Sequence, residues 1–297
     1  MGQEYTGSNL LKFAVIGDIN DGTETFENVV ARLRKEEHIA FLVLLGDCAA
    51  DPSQNLHTYF IEEFAETGFN LPTFVVAGNH DVEAGRFGYR EFEKLYGSTD
   101  FSFLYLNNLF IGLGGIHDSE KLRETLTFLE KTLQEKRHLV NKVFVFMHYP
   151  LQLYDNPASQ EWRKEFQNLF QQYKVTYVFS GHYHRYLRTD ANGVVYLITG
   201  GGGGQLRRQG LGDIGLFHHL TIIEMKDNDI TERIIPIPGA SVWSRIMEQF
   251  ERYGLTVLLP WVTRHTASAM AIGTIVMGCF LWGANECHYF LKRPELR

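Results

Sequence analysis

Short apolar runs, each ending in a glycine or in a side chain able to bind a proton or a metal, recur along the first 180 residues. The runs at 11–16, 39–45, 74–77, 143–147 and 175–179 have the length and continuous apolarity of buried strands. Between them the hydrophobic period changes to that of a helix. Phe26, Val29, Val30 and Leu33 mark a helix over 23–37, and further helices are predicted over 55–67, 87–96, 120–137 and 159–173. The 120–137 segment is the clearest, with Leu122, Leu126, Leu129 and Leu133 on one face. Paired strands are predicted at 101–106 and 109–113 around Asn107-Asn108, at 186–188 and 194–198 through Asp190-Ala191-Asn192-Gly193, and at 220–225 and 230–237 around Asp227-Asn228-Asp229. Alternating strands and helices followed by consecutive strands predict an α/β fold of two stacked sheets with helices outside.

The pattern changes again near Pro236 to Gly239, where a domain boundary is expected after residue 238. Residues 239–265 form a juxtamembrane segment in this reading. Within it a helix over 242–262 places Trp243, Ile246, Phe250 and Val257 on one face, with Pro260 ending or kinking it. This helix either lies on a membrane surface or packs on the domain before it. Residues 266–285 carry no formal charge, and twenty helical residues reach about 30 Å, the thickness of a bilayer core. A single transmembrane helix is expected there, followed by a short tail over 286–297. A buried hairpin or an oligomer-forming helix is the alternative. Basic residues flank both ends, so charge leaves the orientation open.

Composition narrows the function classes. With 297 residues, 44% of them hydrophobic, the chain can bury a large core. A net charge of -7 gives no general attraction to nucleic acid, and no nucleic-acid binding is expected. Cys48, Cys279 and Cys287 are odd in number and lack ligand spacing, which argues against a disulfide scaffold and for a reducing compartment. The polar first nine residues lack the features of a secretory signal, so the main domain is expected in the cytosol.

The strand ends hold the chemistry: Asp18 with Asn20, then Asp47, then Asn79-His80-Asp81, then His148, then His182 with His184. Carboxylates and imidazoles without thiolates suit borderline or hard divalent ions such as Mn, Fe or Zn. Strand ends are also where open α/β sheets build their sites. The ordered set Asp18-Ile19-Asn20, Gly46-Asp47, Gly78-Asn79-His80-Asp81, His148 and Gly181-His182-Tyr183-His184 resembles the calcineurin-like metallophosphoesterases over about residues 10–238. That resemblance implies a four-layer αββα sandwich of two mixed sheets and a centre of two divalent ions that hydrolyses phosphate esters. It implies that Asp47 bridges the ions, that Asp18 and His184 hold the first, with Asn20 at the position of a further ligand, and that Asn79, His148 and His182 hold the second. A hydroxide shared by the ions would attack in line. His80 would be the general acid or phosphate contact, and Asp81 would orient it.

Two departures stand out. Asn20 replaces the histidine common in the family, which points to a looser or harder first site, or to a catalytically silent metal-binding or scaffold protein on the same fold. Ala50 stands where purple acid phosphatases, a subgroup also lacking that histidine, place a tyrosine, so no iron-tyrosinate chromophore is expected. The run Gly200 to Gly204 is not a phosphate-binding P-loop; it is either a close backbone approach at the rim of the site or a flexible loop. Structural roles are expected for His117 and for His218-His219. Arg86 and Arg90 either meet a substrate phosphate or sit on a solvated helix face, and Cys48 reads as a small buried residue. The substrate, its class and the oligomeric state stay open.

Overall fold

The computed structural model describes residues 10–116, 119–152, 160–208 and 211–266. The first unit is built on two mixed sheets. Strands β1 (Leu10–Ile16), β2 (Ile39–Leu44), β3 (Thr73–Val75), β10 (His219–Lys226) and β11 (Asp229–Pro236) form one in the order β11-β10-β1-β2-β3. The other runs β4-β5-β6-β7-β9-β8, from β4 (Asp100–Tyr105), β5 (Asn108–Leu113), β6 (Lys142–Met147), β7 (Tyr177–Ser180), β8 (Tyr186–Ala191) and β9 (Val194–Thr199). β1, β2 and β3 are parallel, as are β5, β6, β7 and β9, and the remaining neighbours pair antiparallel.

Both faces of the central strands are apolar, so successive residues feed different layers. Phe13 and Val15 of β1 join Phe41, Val43, Phe110, Phe144, Phe146 and Phe179 between the sheets. Phe13 lies 5.2 Å from Phe41, and at 5.3 Å it meets Phe144 of the opposite sheet edge-on. Ala14 and Ile16 face the other way, with Phe26, Val29, Leu33 and Phe60 of α1 (Thr23–Leu33) and α2 (Gln54–Glu66) and Phe92 of α3 (Tyr89–Tyr96). On the far side, α4 (Ser119–Lys136) and α5 (Gln160–Gln172) cover Val143, Val145 and Val178 with Leu129, Leu133, Phe166 and Phe170. The layers are therefore helix, sheet, sheet, helix.

Boundaries depart from the sequence reading where local chemistry intervenes. The β4–β5 turn uses Leu106 and Asn107, both at positive φ, and Asn108 is already in β5, its amide donating to the Leu106 carbonyl at 2.7 Å. α1 stops at Leu33, well before residue 37. Contacts of the first unit also continue past Gly239. The Ala240 N–H donates to Thr25 Oγ1 at 2.9 Å, and Glu248, nearly fully buried, accepts from the Thr23 N–H at 2.8 Å. Glu248 thereby puts a carboxylate on the first turn of α1, whose N-cap, Gly22, has no side chain to serve there. The compact units divide after it, into Met1–Glu248 and Gln249–Arg297.

α6 (Val242–Tyr253) runs through a wide π turn, Gly254–Leu258, into α7 (Leu259–Arg264). Pro260 does not end the helix. It falls in the first turn of α7, and the widened turn before it makes room for a ring that an α-helix interior would exclude. Among the described residues no helix is long and apolar enough to cross a membrane. All but the first residue of the 266–285 span lies outside them, as do His117, Cys279 and Cys287.

Candidate metal centre

The candidate ligands are gathered by the turns that leave β1, β2, β3, β6 and β7. Asp18, Asn20, Asp47, His182 and His184 all have φ between 44° and 69°, the left-handed region that side chains other than glycine rarely occupy. They make up five of the eleven described non-glycine residues with positive φ. Such backbone strain concentrates at functional sites, where surrounding structure holds it in place. Here the neighbouring turns hold one another. The Asp18 N–H donates to the Gly46 carbonyl at 3.1 Å, and those of Ile19 and Asn20 to the Asp47 carbonyl at 3.0 and 2.8 Å.

The side chains fall into two groups around Asp47. In the first, His184 Nε2 lies 3.5 Å from Asp18 Oδ1. The His184 Nδ1–H donates to the Gln205 carbonyl at 2.7 Å, which leaves the Nε2 lone pair facing the carboxylate. Burial pushes His184 down to about 4, so the ring is neutral at pH 7. Nearby, Asn20 Oδ1 is buried and accepts no hydrogen bond from the described residues. In the second group Asn79 Oδ1 lies 3.1 Å from His148 Nε2 and 3.0 Å from His182 Nδ1. The His148 Nδ1–H donates to the Leu45 carbonyl at 2.8 Å, so its Nε2 lone pair points at the acceptor oxygens of Asn79 and, at 3.5 Å, of Asp47. Atoms of Asp18, Asp47 and His148 all come within 4.8 Å of one another.

Acceptor facing acceptor is repulsive unless a cation lies between them. Burial, with the charge of Asp47 second, holds the Asp18 carboxyl well above the usual carboxylate range. Opposed lone pairs, an orphaned buried amide oxygen and crowded buried carboxylates fit divalent cations. The all-N/O donor set suits Mn, Fe or Zn.

Asn79-His80-Asp81 is used differently from the expectation. Asp81 does not orient His80. The turn closed by the Asp81 N–H on the Gly78 carbonyl sends its carboxylate inward, where it accepts from the N–H groups of Asp47 (2.7 Å), Cys48 (2.9 Å), Ala49 (3.2 Å) and Gly78 (2.7 Å). Asp81 therefore pins the β2 turn that carries Asp47 to the β3 turn that carries Asn79. His80 instead takes its orientation from the Ala50 carbonyl, to which Nδ1 donates at 2.9 Å, while its own N–H donates to Asp47 Oδ1. Gly78 is needed less for turn freedom than for approach, because a Cβ there would collide with the Asp47 carboxylate.

The glycine run is the close backbone approach and not a flexible loop. All five residues are buried, and the N–H groups of Gly202 and Gly204 donate to the carbonyls of Gly17 and Asp18 at 2.9 and 2.8 Å. A Cβ on Gly204 would sit 2.7 Å from Asn20 Oδ1. His219 braces this loop, bonded to Thr199 Oγ1 and the Phe217 carbonyl at 3.0 Å each. Arg86 is paired at the surface with Asp51 and Glu83. Cys48 is buried and unpaired.

Several participants were not singled out from the sequence. Tyr149 packs edge-on against His182 at 4.6 Å. His57, fully buried in α2, donates from Nε2 to the Asp81 carbonyl at 2.9 Å and bonds Tyr96 through Nδ1. Gln205 and Leu45 act through main-chain carbonyls, which no side-chain pattern reveals. For Tyr149, adjacency to His148 was an available signal.

Comparison with known proteins bears on the family and the fold. The chain is 26% identical over 208 residues to the serine/threonine-protein phosphatase CPPED1 of Bos taurus, a match covering 59% of this chain and 66%, just under two thirds, of that relative. A dimetal phosphatase from Danio rerio superposes with a TM-score of 0.58 at 14% identity, over 76% of this chain and 96% of that one. GAP50, the anchor in the inner membrane complex of Plasmodium, does so with a TM-score of 0.56 at 14% identity, over 82% and 94%. Both structural likenesses bear on the fold. The family model for calcineurin-like phosphoesterases matches residues 11–186, the stretch from β1 through the Gly181-His184 turn that holds all the candidate ligands. With the ordered strand-end donors, the two-sheet sandwich and this match in agreement, the chain belongs to the calcineurin-like phosphoesterase family.

Proposed function

We propose that the protein hydrolyses phosphate esters at a centre of two divalent ions, the first held by Asp18, Asn20 and His184, the second by Asn79, His148 and His182, with Asp47 shared. The observation that carries this reading is the His148 ring, whose Nδ1 proton is committed to the Leu45 carbonyl while Nε2 faces two acceptor oxygens. Ions so held would supply Lewis acidity, activating water and balancing charge on the phosphoryl oxygens. The protein supplies the rest. Neutral His184 keeps its lone pair for coordination, and Asp81 fixes the distance between the Asp47 and Asn79 turns through four N–H bonds. His80, anchored through Nδ1, has Nε2 available to hold a proton for the leaving-group oxygen. Metal-depleted protein should regain hydrolysis of an aryl phosphate on addition of manganese, iron or zinc, and Asp47→Ala should remove it. Turnover retained by Asp47→Ala would refute the centre. A folded protein that turns over nothing with any of these ions would instead be the silent scaffold that Asn20 permits.

We also propose membrane attachment through 266–285, with the catalytic unit in the cytosol. Its support is the exposed apolar surface of the helices that lead into this uncharged stretch. Trp243, Met247, Phe250, Tyr253, Val257 and Trp261 are all exposed, Trp243 by 76%. Unpaired Cys48 accords with a reducing compartment. Full-length protein should sediment with membranes and a chain ending at Glu248 should not. Full-length protein that stays in the supernatant without detergent would end this reading.

A further inference from the structure

The glycine run and the loop after it are tied to the turn after β1 and to the Gly181-His184 turn at successive points. The Gly204 N–H donates to the Asp18 carbonyl at 2.8 Å, and the Gln205 carbonyl accepts from His184 Nδ1 at 2.7 Å. Arg185, fully buried, spends its guanidinium on main-chain carbonyls: Nη2 on those of Arg207 (2.6 Å) and Arg208, Nη1 on that of Ile214 (3.0 Å). A buried cation hydrogen-bonded to carbonyls, with no carboxylate bonded to it among the described residues, works as a clamp. What it clamps is the backbone of residue 207, two positions beyond the residue that touches His184.

The Arg207 side chain is exposed, and among the described residues no carboxylate pairs with it. Other arginines differ. Arg208 pairs with Asp213 at 2.9 Å, and Arg86 pairs with Asp51 and Glu83. The Arg207 charge acts on both Asp18 and His184 of the first ligand group. The clamp thus fixes the backbone of residue 207 two positions from the Gln205 carbonyl that accepts from His184, with its guanidinium in solvent and no carboxylate partner among the described residues. A guanidinium offers parallel N–H donors that match two oxygens of one phosphoryl group. A phosphate monoester is a dianion at neutral pH and keeps three non-bridging oxygens. A diester has one charge and two such oxygens, both of which ions held at this centre would engage, leaving none for the guanidinium.

We infer that Arg207 is a specificity-determining residue that binds a non-bridging oxygen of the substrate and selects phosphate monoesters over diesters. The inference rests on the phosphoesterase reading and adds the substrate class to it. The clamp engages the main-chain carbonyl, so replacing the Arg207 side chain leaves it in place.

The test uses full-length protein loaded with manganese and three variants: Arg207→Gln, Arg207→Lys and, as a control at the paired neighbour, Arg208→Gln. Affinity for inorganic phosphate is measured by calorimetry, and kcat/KM is measured for an aryl monoester and a bis-aryl diester. Arg207→Gln should weaken phosphate about 10- to 100-fold and raise the monoester KM by a similar factor. Its diester kcat/KM should fall far less, Arg207→Lys should recover part of the loss, and Arg208→Gln should keep the wild-type ratio. Wild-type turnover together with an unchanged phosphate affinity in Arg207→Gln, or with equal losses on both esters, would overturn the inference alone. No turnover of either ester by the wild type would overturn the phosphoesterase reading and the inference with it.

Discussion

Asn20 holds a buried amide oxygen that no donor among the described residues satisfies. Leaving such a group unpaired costs about 1–3 kcal/mol, which a coordinated cation would offset. Asn20→Ala should therefore leave the fold as stable as before, or slightly more so, while lowering affinity at the first ion about 10- to 100-fold, read by manganese titration. Unchanged metal affinity would remove Asn20 from the ligand set. Asp81 makes the opposite case. Asp81→Asn turns an amide NH2 toward backbone donors and forfeits at least one of the four bonds to the Asp47 and Asn79 turns. A loss of about 2–4 kcal/mol in urea unfolding is expected, together with weaker metal binding. An Asp81 that only oriented His80 would affect turnover without that loss of stability. The sequence pointed to Asp81 as part of the site but not to its task, because direction depends on a turn closed by one main-chain hydrogen bond. Main-chain partners at Leu45, Ala50 and Gln205 were hidden for the same reason: every residue type has a carbonyl.

At the level of elements, strands and helices were legible because their apolar periods differ and the central strands are apolar on both faces. Their ends were less so. Turns such as Leu106-Asn107 follow strand pairing, and α1 ends where Glu36 leaves to meet Arg32 and Arg233, at 2.7 and 2.8 Å. The hydrogen bond from Arg233, followed by that from Arg32, holds Glu36 below the usual carboxylate value despite burial. A lowered folded-state value means stability present above the unfolded value, about 4.5, and lost as pH falls through the folded one. Glu36→Gln should thus cost about 1 kcal/mol or less at pH 7, and the difference in urea midpoint should shrink below about pH 4.5. A difference independent of pH would show that the bridge between α1 and β11 is not ionic in effect. In the layer between the sheets, Phe144→Ala should cost about 3–5 kcal/mol, since the ring packs against Phe13 and Phe110 with no polar group to reorganise.

For the whole molecule, the first unit extends to Glu248. A chain ending at 238 should be about 1–2 kcal/mol less stable than one ending at 248, because it loses the carboxylate on the first turn of α1 and the Ala240–Thr25 bond. Equal urea midpoints would show that these contacts contribute nothing. No composition shift marks residue 248, whereas the break near 238 is visible in the sequence; the difference is a side-chain contact across 225 residues. The central claim, that the ends of β1, β2, β3, β6 and β7 assemble one centre for two ions, is tested most directly by counting metal. Purified wild-type protein, depleted and then equilibrated with manganese, should hold two ions per chain by elemental analysis. A folded protein that holds none, or only one at saturating manganese, would contradict it.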